Sequence, residues 1–398
     1  MIDEPVASPP RRLASIDAFR GFVMFLLIAE SLHFAAVSAK KPDSRAWAFL
    51  AHHQEHVEWI GCTLHDMIQP SFSFLVGVAL PFSLLSRAAI GQSKTRRTLH
   101  AFWRAFVLVA LGIFLRSMGR DRTNYTFEDT LTQIGLGYGF LYMLANRSVR
   151  VQVIALVVLL VGYWAAFAAY PLPGPDFDYP SVGVPKEWPH LMSGFPAHWN
   201  KNSNIAWRFD VWFMNLFPRK EPFLFNGGGY STLSFIPTLA TMILGLLAGG
   251  VLASEDRRPW SKVGILVVAG AISLGAGYAL GEFGICPVVK RIWTPSWTLY
   301  SGGWCFLILG VTYAVCDAIG FRAWAYPLIV IGANSIAAYL LTWLAEKWVE
   351  ANLLTHLGHR TFRAFGAEYE PTVLGAGVVL VMWLILFWMY RRRIFLKI

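Results

Sequence analysis

His52-His53-Gln54-Glu55-His56-Val57-Glu58-Trp59-Ile60-Gly61-Cys62-Thr63-Leu64-His65-Asp66-Met67-Ile68-Gln69-Pro70, running on through Phe74 to Gly77, joins a polar segment to an apolar helix. Four histidines and three carboxylates crowd the polar half, and a stretch of membrane-spanning character follows at once. Imidazole near its neutral pKa serves as nucleophile, general base or metal ligand, so this density at a membrane boundary marks a candidate site. An interfacial loop that is polar because it faces water would have the same composition.

The apolar half is repeated along the chain. Of 398 residues 56% are hydrophobic and 15% charged, and the apolar residues come in long blocks. About ten of these approach the ~20 residues that cross a bilayer. They fall at 15–37, 66–86, 104–118, 130–146, 151–170, 232–253, 263–281, 297–317, 325–345 and 372–390. The expected fold is therefore all-α, a polytopic transmembrane helical bundle forming one domain over 1–398. A β-barrel is excluded, because its strands would alternate in polarity.

The net charge of +10 follows the same division. Arg87, Lys94, Arg96, Arg97, Arg147, Arg150, Arg257, Arg258, Lys262, Arg322 and the run from Arg391 to Arg393 fall on one set of short loops with few compensating acids. Loops of the other set offset their bases with Asp or Glu. Uncompensated bases mark the cytoplasmic side, which puts both termini inside and makes the charge a report on topology, not on a nucleic-acid partner. Met1 to Arg12 lack the apolar core of a cleaved signal peptide, so the first span is expected to direct insertion. Of four cysteines, Cys305 and Cys316 lie in an apolar block, and Cys62 and Cys286 are close enough to the boundary to meet outside it.

Inside the first span Asp17 and Arg20 share a helical face at i,i+3. They form either an ion pair that sets helix depth or, through Arg20, an anion site. Glu30 and His33 have the same spacing deeper in the span, where ionisable groups usually face a cavity or a partner. The loop carrying Lys94, Arg96 and Arg97 anchors topology and is also the best dock for a cytosolic polyphosphate. A long outer segment at about 171–231, rich in Trp, Pro and Asn and without helical periodicity, reads as a lid, a sugar-stacking surface or an interfacial belt.

Several blocks in order resemble the heparan-α-glucosaminide N-acetyltransferase family and its bacterial relatives. They are Arg12-Leu13-x-Ser15-x-Asp17-x-Phe19-Arg20-Gly21, His56-x-x-Trp59-x-Gly61-x-Thr63-x-x-Asp66-x-x-x-Pro70 and Phe72-x-Phe74-x-Val76-Gly77. Thr132-Gln133-Ile134-Gly135, Asn204 to Asp210, Leu233 to Pro237, Lys290 to Ser296 and Gly332 to Ser335 follow in the family's order. The resemblance implies a membrane acyltransferase in which His56 is catalytic. Acetyl-CoA would be the donor and an amino sugar or glycan beyond the membrane the acceptor, with the protein in a bacterial inner membrane. Two positions depart from the pattern: Ala29-Glu30-Ser31-Leu32-His33 replaces an Asn-Asn-type pair, and Gly135 replaces an arginine.

Transfer from a thioester needs a base, or a nucleophile that becomes acylated, and a neutral imidazole serves as either. Asp66, at the start of the second span, is placed to bond the other ring nitrogen and fix the tautomer. Gln133 and Asn334 are neutral donors suited to an oxyanion or to the amides of the donor arm, or else to interhelical hydrogen bonds. Expected donor contacts are thus Arg20, Arg96, Arg97, Gln133 and Asn334, and expected acceptor contacts Glu30, His33, Trp59, Asn204 and Asp210. The expected partners are acyl-CoA, the glycan acceptor and the bilayer, with homo-oligomerisation left open. The alternative function is a transporter or flippase using Glu30 and His33 as a proton relay. His52, Glu55 and His56 would suit a metal if one helical turn presented them, although none is expected.

Overall fold

The computed structural model describes residues 12–396. The expectations for Met1 to Arg11 and for Lys397 lie outside them. Fifteen α-helices are formed among the described residues, with no β-strand. They are α1 (Ala14–Ile28), α2 (Phe34–Lys40), α3 (Arg45–Gln54), α4 (Ile68–Ala89), α5 (Lys94–Ser117), α6 (Thr130–Ala145), α7 (Val149–Ala169) and α8 (Ile205–Phe213), followed by α9 (Phe235–Ala253), α10 (Pro259–Glu282), α11 (Pro295–Tyr313), α12 (Tyr326–Gly332), α13 (Ser335–Leu344), α14 (Glu346–Phe362) and α15 (Glu370–Arg391). The chain is a polytopic helical membrane protein.

By length and composition, seven helices among the described residues are able to cross a membrane, or nine if each of two bent pairs is one span. The tenth expected span, α6, has 16 residues and falls short of that length. Both bent pairs were expected as continuous helices. The span at 15–37 breaks between α1 and α2 with a 42° bend, and the span at 325–345 breaks between α12 and α13 with a 64° bend.

The first break is stabilised by specific bonds. A short 3-10 turn, Ala29–Leu32, leads to His33 in the left-handed region at φ 50°. The bend frees backbone groups that cannot stay unpaired inside a bilayer. Gln54 supplies both halves of the repair, its Nε2 donating to the Ala29 carbonyl at 2.6 Å and its Oε1 accepting from the Phe34 amide at 2.7 Å. The Thr372 hydroxyl donates to the Leu32 carbonyl at 2.7 Å. α3, which supplies Gln54, lies outside the apolar blocks, and α8 forms within the 171–231 segment that lacks helical periodicity.

Small residues determine which helices meet. A Cβ on Gly77 of α4 would stand 2.0 Å from the Met242 carbonyl oxygen, and one on Gly245 of α9 1.9 Å from that of Phe74. These backbones touch, as small residues permit between membrane helices. Gly21 and Gly332 bring α1 and α12 together in the same way. α9 is the central helix, with 72% of its apolar window buried, against 22% for α5, α7 and α10. Those three present apolar side chains such as Phe106, Val158 and Ile272 outward, as lipid-facing helices do.

Candidate active site

The loop from Glu55 to Leu64 leaves α3 and returns to the bundle at a 3-10 turn, His65–Met67, that opens α4. Trp59 anchors it. Its ring is fully buried with Tyr163, Phe167, Trp199 and Val289, and its Nε1 donates to the Trp199 carbonyl at 3.1 Å. Trp59 is therefore packed core rather than an acceptor contact. The Gly61 amide donates to the Val288 carbonyl at 3.1 Å, and Ile60 forms an antiparallel bridge with Val289. Arg291 ties the loop to its neighbours through the carbonyls of Val57 and Gly228.

These anchors bring three charged or ionisable side chains together. His56 Nδ1 lies 2.8 Å from Asp66 Oδ1. Lys290 Nζ is 3.1 Å from the same oxygen and 3.1 Å from His56 Nδ1. Asp66 Oδ2 accepts the backbone amides of Thr63 at 3.0 Å and Val57 at 3.3 Å. Lys290 is held by a tight turn in which the Trp293 amide donates to its carbonyl at 2.8 Å. Trp293 takes a left-handed φ of 49° there, and Thr294 closes the turn by accepting the Val289 amide.

An ionised carboxylate only accepts, so the 2.8 Å contact with Asp66 favours the proton on Nδ1, with the Lys290 ammonium, 3.1 Å from both groups, directed to the carboxylate rather than to the ring. Lys290 then donates to Asp66, and the lone pair of Nε2 is free. Nε2 makes no hydrogen bond among the described residues, and the side chain is 38% exposed. Burial is the largest influence on the imidazole and lowers its pKa; Lys290 acts in the same sense and Asp66 against it. The ring is thereby kept neutral near neutral pH, as a base or nucleophile requires.

A cavity of about 600 Å³ opens in front of this group, lined in part by Glu30, His56, His65, Glu128, Lys290 and Glu346. A second, of about 780 Å³, is lined by His33, Gln54 and Glu55 and shares Glu30, His56 and His65 with the first. Glu30 does not pair with His33 as the spacing suggested, because the helix breaks between them. Its carboxylate instead meets His65 Nε2 at 2.6 Å. The rings of His56 and His65 have centroids 4.7 Å apart.

Other expected contacts lie elsewhere. Gln133 Nε2 is engaged by the carbonyls of Phe127, Ser231 and Thr232, so it clamps α6 to the segment before α9. Asn334 binds the Ile394 carbonyl and the Leu396 amide and fastens the C-terminal segment. Neither lines the His56 cavities, and both hold backbone of non-helical segments against the bundle. Asn204 caps α8 by accepting the Trp207 amide at 3.0 Å. Asp210 accepts the Thr232 amide at 2.9 Å, and its Oδ1 is buried without a partner among the described residues.

Arg20 lies 3.7 Å from Asp17, which also bonds Arg12, so these side chains pair as the i,i+3 spacing allows. Arg96 and Arg97 open α5, at the end of α4 away from Asp66. The helical rise between Asp66 and Arg87 corresponds to about 30 Å.

His52 stays on α3 against His53 while His56 lies beyond its end, so the one-turn metal arrangement is not formed. Among the described residues no group of three or more His, Cys, Asp or Glu side chains is placed to hold a metal. Cys62 and Cys286 are both free thiols. Sequence reasoning did not single out Lys290 or the Glu30–His65 pair. The available signal for Lys290 was a Lys290-Arg291 pair of bases between apolar Cys286–Val289 and the next span, inside a block already quoted for its resemblance.

No family model matches the chain. Comparison with curated proteins finds the human heparan-alpha-glucosaminide N-acetyltransferase at 24% identity and the mouse protein of the same name at 21%. Each match covers 98% of this chain, and 60% and 61% of the relatives respectively. The chain thus spans about three-fifths of the length of the curated relatives it matches. The chain is similar over nearly its whole length to heparan-alpha-glucosaminide N-acetyltransferases.

Proposed function

We propose that this chain is a membrane acetyltransferase that uses acetyl-CoA and passes the acetyl group to an amino sugar or glycan on the other side of the bilayer. The observation that carries the reading is the His56–Asp66–Lys290 group, whose imidazole lines a cavity of a membrane-spanning bundle with Nε2 unbonded among the described residues. The two relatives, both heparan-alpha-glucosaminide N-acetyltransferases, support the same class.

Nε2 of neutral His56 takes a proton from the acceptor as its nitrogen attacks the thioester carbonyl, and returns it to the departing thiolate. The same lone pair is suited to accept the acetyl group first, as an acyl-imidazole. Asp66 keeps the ring in the required tautomer and offsets the imidazolium charge that develops. Lys290 balances Asp66 whenever the ring is neutral. The donor enters from the end carrying Arg96 and Arg97, which faces the cytoplasm of a bacterial inner-membrane protein under the charge rule.

The test is transport-coupled chemistry in sealed vesicles. Full-length protein is reconstituted with labelled acetyl-CoA on one side and glucosamine trapped on the other. Acetylation of the trapped amine supports the proposal; acetylation only of amine on the donor's side would contradict the vectorial part. Cysteine probes at Ser93 and Asp178 should label from opposite faces, and labelling from one face would overturn the orientation.

A further inference from the structure

An ammonium acceptor has more protons to lose than His56 is able to handle. R–NH3⁺ and CH3CO–SCoA give R–NH–COCH3, CoA–SH and one H⁺. Over the reaction, in which a C–N bond forms and a C–S bond breaks, the nitrogen sheds two protons. One travels through His56 to the thiolate, and the other must leave the site before attack, because the ammonium nitrogen has no lone pair.

We propose that the Glu30–His65 pair is the acceptor of this first proton and its exit route to the second cavity. The inference rests on the acetyltransferase reading above. Glu30 Oε1 is 2.6 Å from His65 Nε2, and the His65 ring stands 4.7 Å from that of His56. His65 is buried, while the Glu30 side chain is 47% exposed. Both residues line the reaction cavity and the second cavity, so a proton taken on one side is released on the other.

The helix break explains how Glu30 comes to point there. Its carboxylate lies at the 3-10 turn that Gln54 and Thr372 stabilise, not on a regular helical face. The basic side chains around it are Lys290 from the 286–294 segment and Arg116 from α5, with the imidazoles of His56 and His65 from the 55–66 segment. Glu128, Asp129, Glu346 of α14, Glu55 and His33 are the other titratable groups on the two cavities, with the hydroxyls of Tyr230 and of Tyr339 of α13. The acidic members favour a cationic acceptor.

The experiment follows turnover against pH for the purified full-length chain, with acetyl-CoA and glucosamine, in wild type, Glu30→Gln and Glu30→Asp. Glu30→Gln keeps the hydrogen-bonding shape but takes up no proton. Its kcat is expected to fall about 100-fold below the pKa of the acceptor's ammonium, the scale of one proton-transfer group. The deficit should shrink as pH rises through that pKa and be smaller for an aromatic amine, already unprotonated at neutral pH. Glu30→Asp should restore most of the lost rate, with the KM for acetyl-CoA unchanged in both variants.

A Glu30→Gln deficit that is equal at every pH, an absent deficit, or a Glu30→Asp variant no better than Glu30→Gln would overturn the inference. No acetyl transfer by the wild-type chain would instead count against the function on which it rests.

Discussion

Asp66 Oδ1 lies 2.8 Å from His56 Nδ1, closing a ten-residue loop onto the first turn of a membrane-spanning helix. The contact fixes the ring and also determines which nitrogen carries the proton. Asp66→Asn offers an amide in the same shape, with no charge to hold the imidazolium or Lys290. It should lower kcat for acetyl transfer by about 10²- to 10⁴-fold while leaving the KM for acetyl-CoA near wild type. Loss of donor affinity in step with kcat would show that the aspartate supports binding instead.

The pH profile carries the second prediction. Burial and Lys290 lower the His56 pKa below its ordinary 6.5, so the neutral base persists until pH falls beneath that value. Turnover should therefore be lost on the acid side, with the limb below the ordinary imidazole range. Lys290→Met removes a positive neighbour and leaves the negative Asp66 uncompensated, and both changes raise the His56 pKa. The acid limb should move to higher pH in that variant. A limb that stays in place or moves down would contradict the assignment of Lys290 to this group.

Packing gives a third expectation. Gly245 meets the Phe74 carbonyl at a distance that leaves no room for a Cβ. Gly245→Ala forces α4 and α9 apart and should cost about 1–3 kcal/mol, the usual penalty for overpacking. Thermal unfolding of the detergent-solubilised protein reads this directly. Gly250→Ala on the same helix meets open space and should be neutral.

Asp210 supplies the fourth. Burial pushes its carboxyl from the ordinary 3.8 up to about 7. A raised folded pKa means that the unfolded chain releases its proton first as pH rises. The stabilisation is therefore full below about 3.8 and lost as pH climbs through about 7. Asp210→Asn should flatten that decline and raise unfolding stability above neutral pH by about 1–3 kcal/mol. Equal slopes for the two proteins would show that another group governs the transition.

Much of the bundle was legible because bilayer length is written directly in apolar blocks. The two broken spans were less so. A break at Ala29–His33 depends on Gln54 from another helix to pair the freed backbone, and no local pattern shows that. His56 and Asp66 were recognisable together through motif order and the need of an imidazole for an orienting acid. Lys290 was not, since it joins them from more than 220 residues away and through a turn that leaves Trp293 left-handed. Gln133 and Asn334 show the reverse: an amide in an apolar helix signals a polar partner, and here the partners are backbone carbonyls and an amide.

The central claim is that His56 carries the acetyl transfer, and one comparison tests it most directly. Purified wild type and His56→Ala are each given radiolabelled acetyl-CoA and glucosamine, with folding and donor binding measured on the same samples. The account predicts labelled N-acetylglucosamine from wild type and none above background from His56→Ala, with both proteins folded and binding acetyl-CoA alike. Transfer at near wild-type rate by His56→Ala would contradict it, as would an equal loss in His52→Ala and His53→Ala.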